Sequence, residues 1–172
     1  MLLSGSHDRS PTTSVAGVNS TLDDRVVQAL VDVADGLDLG TTLNRILHAA
    51  IELTGAQYGA LGVLADEGGL SQFLFEGMAV DEAALIGELP RGRGVLGELI
   101  HHPQALRLSH LSQHPAAAGF PPGHPPMDSF LGVPIRAGET VFGNLYLTEK
   151  SGGFDAEDER RVQSLAVAAG VA

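Results

Sequence analysis

Two hydrophobic rhythms alternate along the chain, and each change of rhythm marks an element boundary. Residues 21–36 bring Leu22, Val26, Val27, Leu30, Val31 and Val33 back near the helical repeat, with Asp23 and Asp24 in the first turn and Gly36 at the end. Residues 41–54 repeat the stripe with Leu43, Ile46, Leu47, Ala50 and Ile51; Gly40 or Thr41 can cap this helix and Gly55 stops it. The period then shortens. Residues 58–64 (YGALGVL) are a short apolar run between turn residues and read as a buried strand. Asp66, Glu67, Gly68 and Gly69 turn the chain into a partner strand at 70–76 (LSQFLFE), which Gly77 breaks.

A short helix is expected at 81–87 and a turn at 89–94, followed by a helical patch of Val95, Leu96, Leu99 and Ile100. Residues 105–108 form a short strand and 110–114 a helical turn or loop. A proline-rich loop precedes two more strands, at 129–136 and 140–148, joined by Ala137, Gly138 and Glu139. Asp155 caps a last helix whose apolar face uses Val162, Leu165, Ala166 and Ala169. Hairpins dominate this order. The expected class is therefore α+β, a central, mostly antiparallel sheet flanked by helices. Residues 1–20, rich in Ser, Thr, Gly and Pro, read as a flexible leader, and 21–172 as one domain. The last helical pattern still runs at Ala172, which suggests a domain excised from a longer polypeptide.

Composition narrows the functions. With 44% hydrophobic and 18% charged residues, a chain of 172 can bury a genuine core. A net charge of −11 disfavours nucleic acid and anionic membrane surfaces as partners. No run approaches a membrane span and the first residues are too short for a signal peptide, so the expected location is cytoplasmic. The absence of cysteine excludes disulfides, thiolate metal sites and cysteine-attached cofactors. No Ser-His-Asp order, carboxylate pair or nucleophile elbow stands out, so turnover by this chain is not expected.

Among the seven histidines, none has HExxH or His-x-His spacing. His7 falls in the leader, His101 and His102 at a helix end, and His110 and His114 in loops, while His48 lies beside an apolar helical stripe. His124 differs in its frame, Pro121-Pro122-Gly123-His124-Pro125-Pro126, where four prolines restrict the backbone and lower the ordering cost of presenting one side chain. Such an imidazole could serve as the one strong axial ligand that haem iron takes. A rigid loop with an exposed histidine explains the same residues, and a lone histidine weighs toward that simpler reading. Tyr146 lies in VFGNLYLT, where alternation puts Phe142, Asn144, Tyr146 and Thr148 on one face and Val141, Leu145 and Leu147 on the other. It could donate a hydrogen bond to a buried ligand; a tyrosine anchored to backbone at a sheet edge is the alternative. The glycines of PRGRGVLG lack the phosphate-loop signature, while Arg91 and Arg93 could pair with anionic groups such as propionates.

Several segments resemble the haem-binding GAF domain of DevS/DosT-type sensor histidine kinases of actinobacteria. They are YGALGVL (58–64), FLFEGM (73–78), IGELPRGRGVLGELI (86–100), LRLSHLSQHPAAAGFPPGHPPM (106–127), FLGVPIR (130–136), VFGNLYLTEK (141–150) and FDAEDERRVQSLAVAAGVA (154–172). The proline loop and FGNLYLT are specific to that subgroup, whereas FLGVPIR and the terminal helix are shared with GAF domains that bind no haem.

The resemblance implies haem b enclosed between sheet and loops, with His124 as proximal ligand and Tyr146 as distal tyrosine. Asn144 would lie on the distal side, Met127 and Phe120 would contact the haem, and Gly62 would leave space at its edge; core packing or close backbone packing is the alternative for these last three. Oxygen, carbon monoxide or nitric oxide would be the ligand, read by Tyr146 through a hydrogen bond. Redox sensing through the iron is equally compatible. Output would pass to kinase domains of a parent chain, and the terminal helix could form a homodimer. Two rivals stand beside this reading: a haem-free relay or dimerisation domain, and a domain that binds a cyclic nucleotide or other small metabolite. The missing cysteine weighs against a bilin photoreceptor and a methionine sulfoxide reductase.

Overall fold

The computed structural model describes residues 39–66, 69–79 and 93–170. The leader, the expected helices at 21–36 and 81–87, Arg91, Gly92 and part of the 66–69 turn lie outside these residues. The elements run α1 (Leu39–Thr54), β1 (Ala56–Leu64), β2 (Leu70–Glu76), α2 (Gly94–His101), β3 (Leu106–Leu108), a 3₁₀ turn (Leu111–Gln113), β4 (Phe130–Ala137), β5 (Thr140–Lys150) and α3 (Ala156–Gly170). The strands form one antiparallel sheet in the order β2-β1-β5-β4-β3. This is the expected α+β architecture, with β5 at its centre.

The sheet has two buried faces. On one, Leu61, Leu131, Val133, Ile135, Leu145 and Leu147 meet Leu43, Leu47 and Ala50 of α1 and Val162, Ala166 and Ala169 of α3. The helical residues recur at three- and four-residue intervals, so a single stripe of each helix faces the strands. Gly59 permits the close approach of α1: a Cβ there would fall 2.8 Å from the methyls of Leu47 and Ile51. Gly55 ends α1 in the left-handed region (φ 74°), its N–H bonded to Ile51 O at 2.8 Å. The opposite face is smaller, with Val95 and Leu99 of α2 packing on Phe130 and Tyr146.

One expectation from strict alternation fails. Phe142 packs with Leu145 and Leu147 on the α1/α3 face instead of sharing a face with Asn144. The register explains it. Ile135 pairs with Gly143 and Arg136 with Val141, so Phe142 is the extra residue of a β-bulge and the side-chain parity resets there.

The hairpin between β4 and β5 turns at Gly138 (φ 61°). α3 begins at a reciprocal cap. Asp155 Oδ1 accepts the N–H groups of Glu157 and Asp158, both at 2.9 Å, and Asp158 Oδ2 accepts the N–H of Asp155 at 2.9 Å. Asp158 is buried and also pairs with Lys150 Nζ at the end of β5. At the other end of α3, Gly170 lies against β4: a Cβ there would fall 1.7 Å from Arg136 O. Among the described residues no helix is long and apolar enough to cross a membrane.

Candidate functional site

The smaller face of the sheet carries two polar side chains in an apolar setting. Asn144 is 0% exposed and Tyr146 3% exposed. Neither the amide nitrogen nor the amide oxygen of Asn144 has a hydrogen-bond partner, and neither does the Tyr146 hydroxyl. Buried polar atoms are nearly always paired, because leaving one unmet costs about 1–3 kcal/mol. Three such atoms on alternate positions of one strand make this face the candidate site among the described residues. Burial pushes the Tyr146 phenol up to about 12, and the nearby Asn144 amide offsets this only in part. That amide approaches the phenol without reaching hydrogen-bond geometry. The hydroxyl therefore remains a neutral donor across the physiological range.

Neighbouring strands keep small residues beside these groups. Tyr146 pairs with Ala60 on β1 and Gly132 on β4, and Asn144 pairs with Gly62 and Pro134. Larger side chains then lean over the gaps. Leu99 of α2 would lie 2.8 Å from a Cβ on Gly132, and Leu70 would lie 3.0 Å from one on Gly62. A Cβ on Gly62 would also meet the Phe73 ring at 3.7 Å, so the glycine lets these two side chains pack closely over β1. Phe130 completes the wall, its ring centroid 6.3 Å from that of Tyr146.

His124 is presented by a turn that the residue types dictate. Pro122 supplies the fixed φ of the second position and Gly123 the left-handed third (φ 83°), and the His124 N–H bonds to Pro121 O at 3.2 Å. The ring is half-buried and stacks on Phe120 with centroids 4.6 Å apart and planes 15° apart. Its Nδ1 lies 2.7 Å from Pro125 O. A carbonyl can only accept, so Nδ1 is protonated, and in the neutral ring the lone pair is left on Nε2. That tautomer, fixed by a backbone carbonyl, is the one a metal-ligating imidazole uses.

The stem after His124 is fastened to the end of β5. Thr148 Oγ1 donates to Met127 Sδ at 3.2 Å. The Asp128 N–H donates to a Glu149 carboxylate oxygen. Ser129 exchanges bonds with Glu149 and Lys150. His110 Nδ1 meets Asp128 Oδ2 at 2.7 Å, and the Leu111 N–H donates to Asp128 O at 2.7 Å.

Two groups emerge. Gly62, Asn144 and Tyr146 come together on one face, and Met127 joins their strand through Thr148. Phe120 and His124 form the second group. Among the described residues no hydrogen bond or ring contact joins it to Tyr146. Phe120, 41% exposed, contacts the imidazole and is not a core residue. Gly123, Asp128 and Glu149 were not singled out from the sequence. The Pro-Pro-Gly run signals the turn that needs Gly123; nothing local signals the other two, whose roles depend on contacts across the sheet. A separate cavity of about 390 Å³, lined by Pro103, Ala105, Pro134, Arg136 and Val167 among others, lies between α3 and the sheet edge, away from Tyr146 and His124.

As donor types, one half-buried imidazole and a buried phenol and amide without partners are those a haem uses, and they lie in two groups that no described contact joins. Among the described residues no cluster of three or more His, Cys, Asp or Glu could hold a bare metal ion. Iron inside a haem takes only one such protein ligand in the simplest case.

The fold has close counterparts among solved structures. The GAF domain/HD domain protein of Geobacter sulfurreducens superposes with a TM-score of 0.63 at 13% identity, over 78% of this chain and 90% of that one. Free methionine-R-sulfoxide reductase from Neisseria meningitidis, in complex with its substrate, gives 0.64 at 20%, over 82% and 81%. The second GAF domain of DevS from Mycobacterium smegmatis gives 0.56 at 23%, over 78% and 91%. Identities this low establish a shared fold. The family model for the GAF domain matches residues 36–172, and the described residues form a five-stranded sheet with three helices; this chain belongs to the GAF domain family.

Proposed function

We propose that this domain is the haem-b sensor of a two-component histidine kinase, detecting oxygen, carbon monoxide, nitric oxide or redox state in the cytoplasm. Its role on this reading is sensory, and catalysis belongs to kinase domains of a parent chain. The observation that carries the reading is the set of unpartnered atoms on Asn144 and Tyr146, in a chain that also holds an imidazole with a free Nε2.

When bound, haem b supplies an iron with an open position for a diatomic gas. His124 holds that group through Nε2, with the Pro125 carbonyl fixing the tautomer and Phe120 fixing the ring plane. Tyr146 offers a neutral hydroxyl donor, and Asn144 offers a donor and an acceptor two residues away. Leu99, Phe130 and Val95 exclude water from the hydroxyl, which strengthens each hydrogen bond it makes. A homodimer through α3 is part of the same proposal.

A second reading draws on the same observation. The unpartnered amide and hydroxyl would serve equally to bind a small polar metabolite, without iron. An absorption spectrum decides. After haemin loading, the wild type should show an intense Soret band that shifts with dithionite and carbon monoxide and is lost or altered in His124→Ala. A colourless, folded protein that refuses haemin would overturn the sensor reading and leave the metabolite or relay reading.

A further inference from the structure

Glu149 is the only non-glycine residue among those described with a left-handed backbone, at φ 59°. That conformation is disfavoured for a side chain bearing a Cβ and persists where surrounding contacts over-determine it. The contacts are identifiable. The Glu149 N–H donates to Ser129 O at 3.2 Å, and its carboxylate receives the N–H of Asp128. Asp128 is fully committed in turn: its carbonyl accepts from Leu111 N at 2.7 Å and its carboxylate meets His110 Nδ1 at 2.7 Å. On either side of this node, Thr148 holds Met127 and Lys150 holds Ser129. The left-handed turn at Glu149 thus aims a carboxylate at the stem four residues after His124, where two prolines carry any displacement back to the imidazole.

We propose that Glu149 is the positioning residue for His124, setting the height and tilt of the imidazole through Asp128. The proposal rests on the reading of His124 as the iron ligand, and its test separates the two. Glu149→Gly suits the left-handed backbone but removes the carboxylate. Glu149→Gln keeps an oxygen that can accept from Asp128. In the haem-free chain, hydrogen exchange at the amides of His124, Met127 and Asp128 should quicken about tenfold or more in Glu149→Gly and stay near wild type in Glu149→Gln. Glu149→Gly should lose haem to apomyoglobin several-fold faster in the haemin-loaded protein and shift the iron–histidine stretching band once that protein is reduced with dithionite, and Glu149→Gln should restore both.

Unchanged exchange in Glu149→Gly overturns the proposal whatever the haem result. So does faster exchange without any change in haem loss or in the stretching band, in a wild type whose spectrum depends on His124. A wild type that takes no haem overturns the sensor reading and with it the iron-positioning role, even if exchange shows that the stem is held by Glu149. Should Glu149→Gly not fold, Glu149→Asn tolerates the same backbone with a side chain too short to reach, and the same outcomes apply.

Discussion

Tyr146 and Asn144 place a cost in the ligand-free domain. A hydroxyl buried without a partner has surrendered its bonds to water and received nothing in exchange. Removing it should therefore help the fold while harming the site. Tyr146→Phe is expected to stabilise the haem-free chain by about 1 kcal/mol in urea denaturation. The same substitution in the loaded protein should speed oxygen release or oxidation. A loss of stability together with unchanged oxygen kinetics would remove Tyr146 from the site. Rapid-mixing spectroscopy and equilibrium unfolding give the two numbers independently.

Between elements, His48 adds a polar link to the apolar packing of α1 on the sheet. His48 Nδ1 lies 2.6 Å from Glu76 Oε1 at the end of β2, and Nε2 lies 3.6 Å from Glu52 one turn along the helix. The hydrogen bond to Glu76, then the charges of Glu76 and Glu52, raise the His48 pKa above its ordinary value. A raised folded pKa means that the folded state binds the proton more tightly. The stabilisation is complete below the ordinary histidine value of about 6.5 and disappears as pH rises through the folded pKa. His48→Gln should accordingly destabilise the domain at pH 5.5 and cost little at pH 9, as thermal melts across that range would show; an equal cost at both would discount the ion pair. Periodicity disclosed α1, the β1–β2 and β4–β5 hairpins and the cap of α3, because each is written in residues close together in sequence. It could not disclose the bulge at Phe142, the left-handed Glu149 or the His48–Glu76 tie. These depend on which residue of a distant strand lies opposite, and register is a property of pairs. The candidate site divides in the same way: His124 and Tyr146 stood out by local frame, whereas Asp128 and Glu149 act only through cross-strand bonds.

For the molecule as a whole, the two faces of the sheet do different work. The α1/α3 face holds the larger apolar cluster and no unpartnered polar atom among the described residues. Leu147, fully buried there, should cost about 2–5 kcal/mol when changed to alanine, through lost contacts and the cavity left behind. Its neighbour Tyr146, one residue away and facing the other side, should gain stability when trimmed. Unfolding curves of the two variants would show opposite signs, and a destabilised Tyr146→Phe beside a neutral Leu147→Ala would refute the division. Of the two helices on the larger face, α3 is tied near one end to Lys150 of β5 through Asp158, and near the other Gly170 comes up against the carbonyl of Arg136 on β4. At about 1.5 Å per residue the 15 residues of α3 form a beam of roughly 22 Å resting on supports from two different strands. A joint shift of both strands carries such a beam along unchanged. Because β4 and β5 are joined by one hydrogen-bonded ladder, the two supports keep their spacing for as long as that register holds.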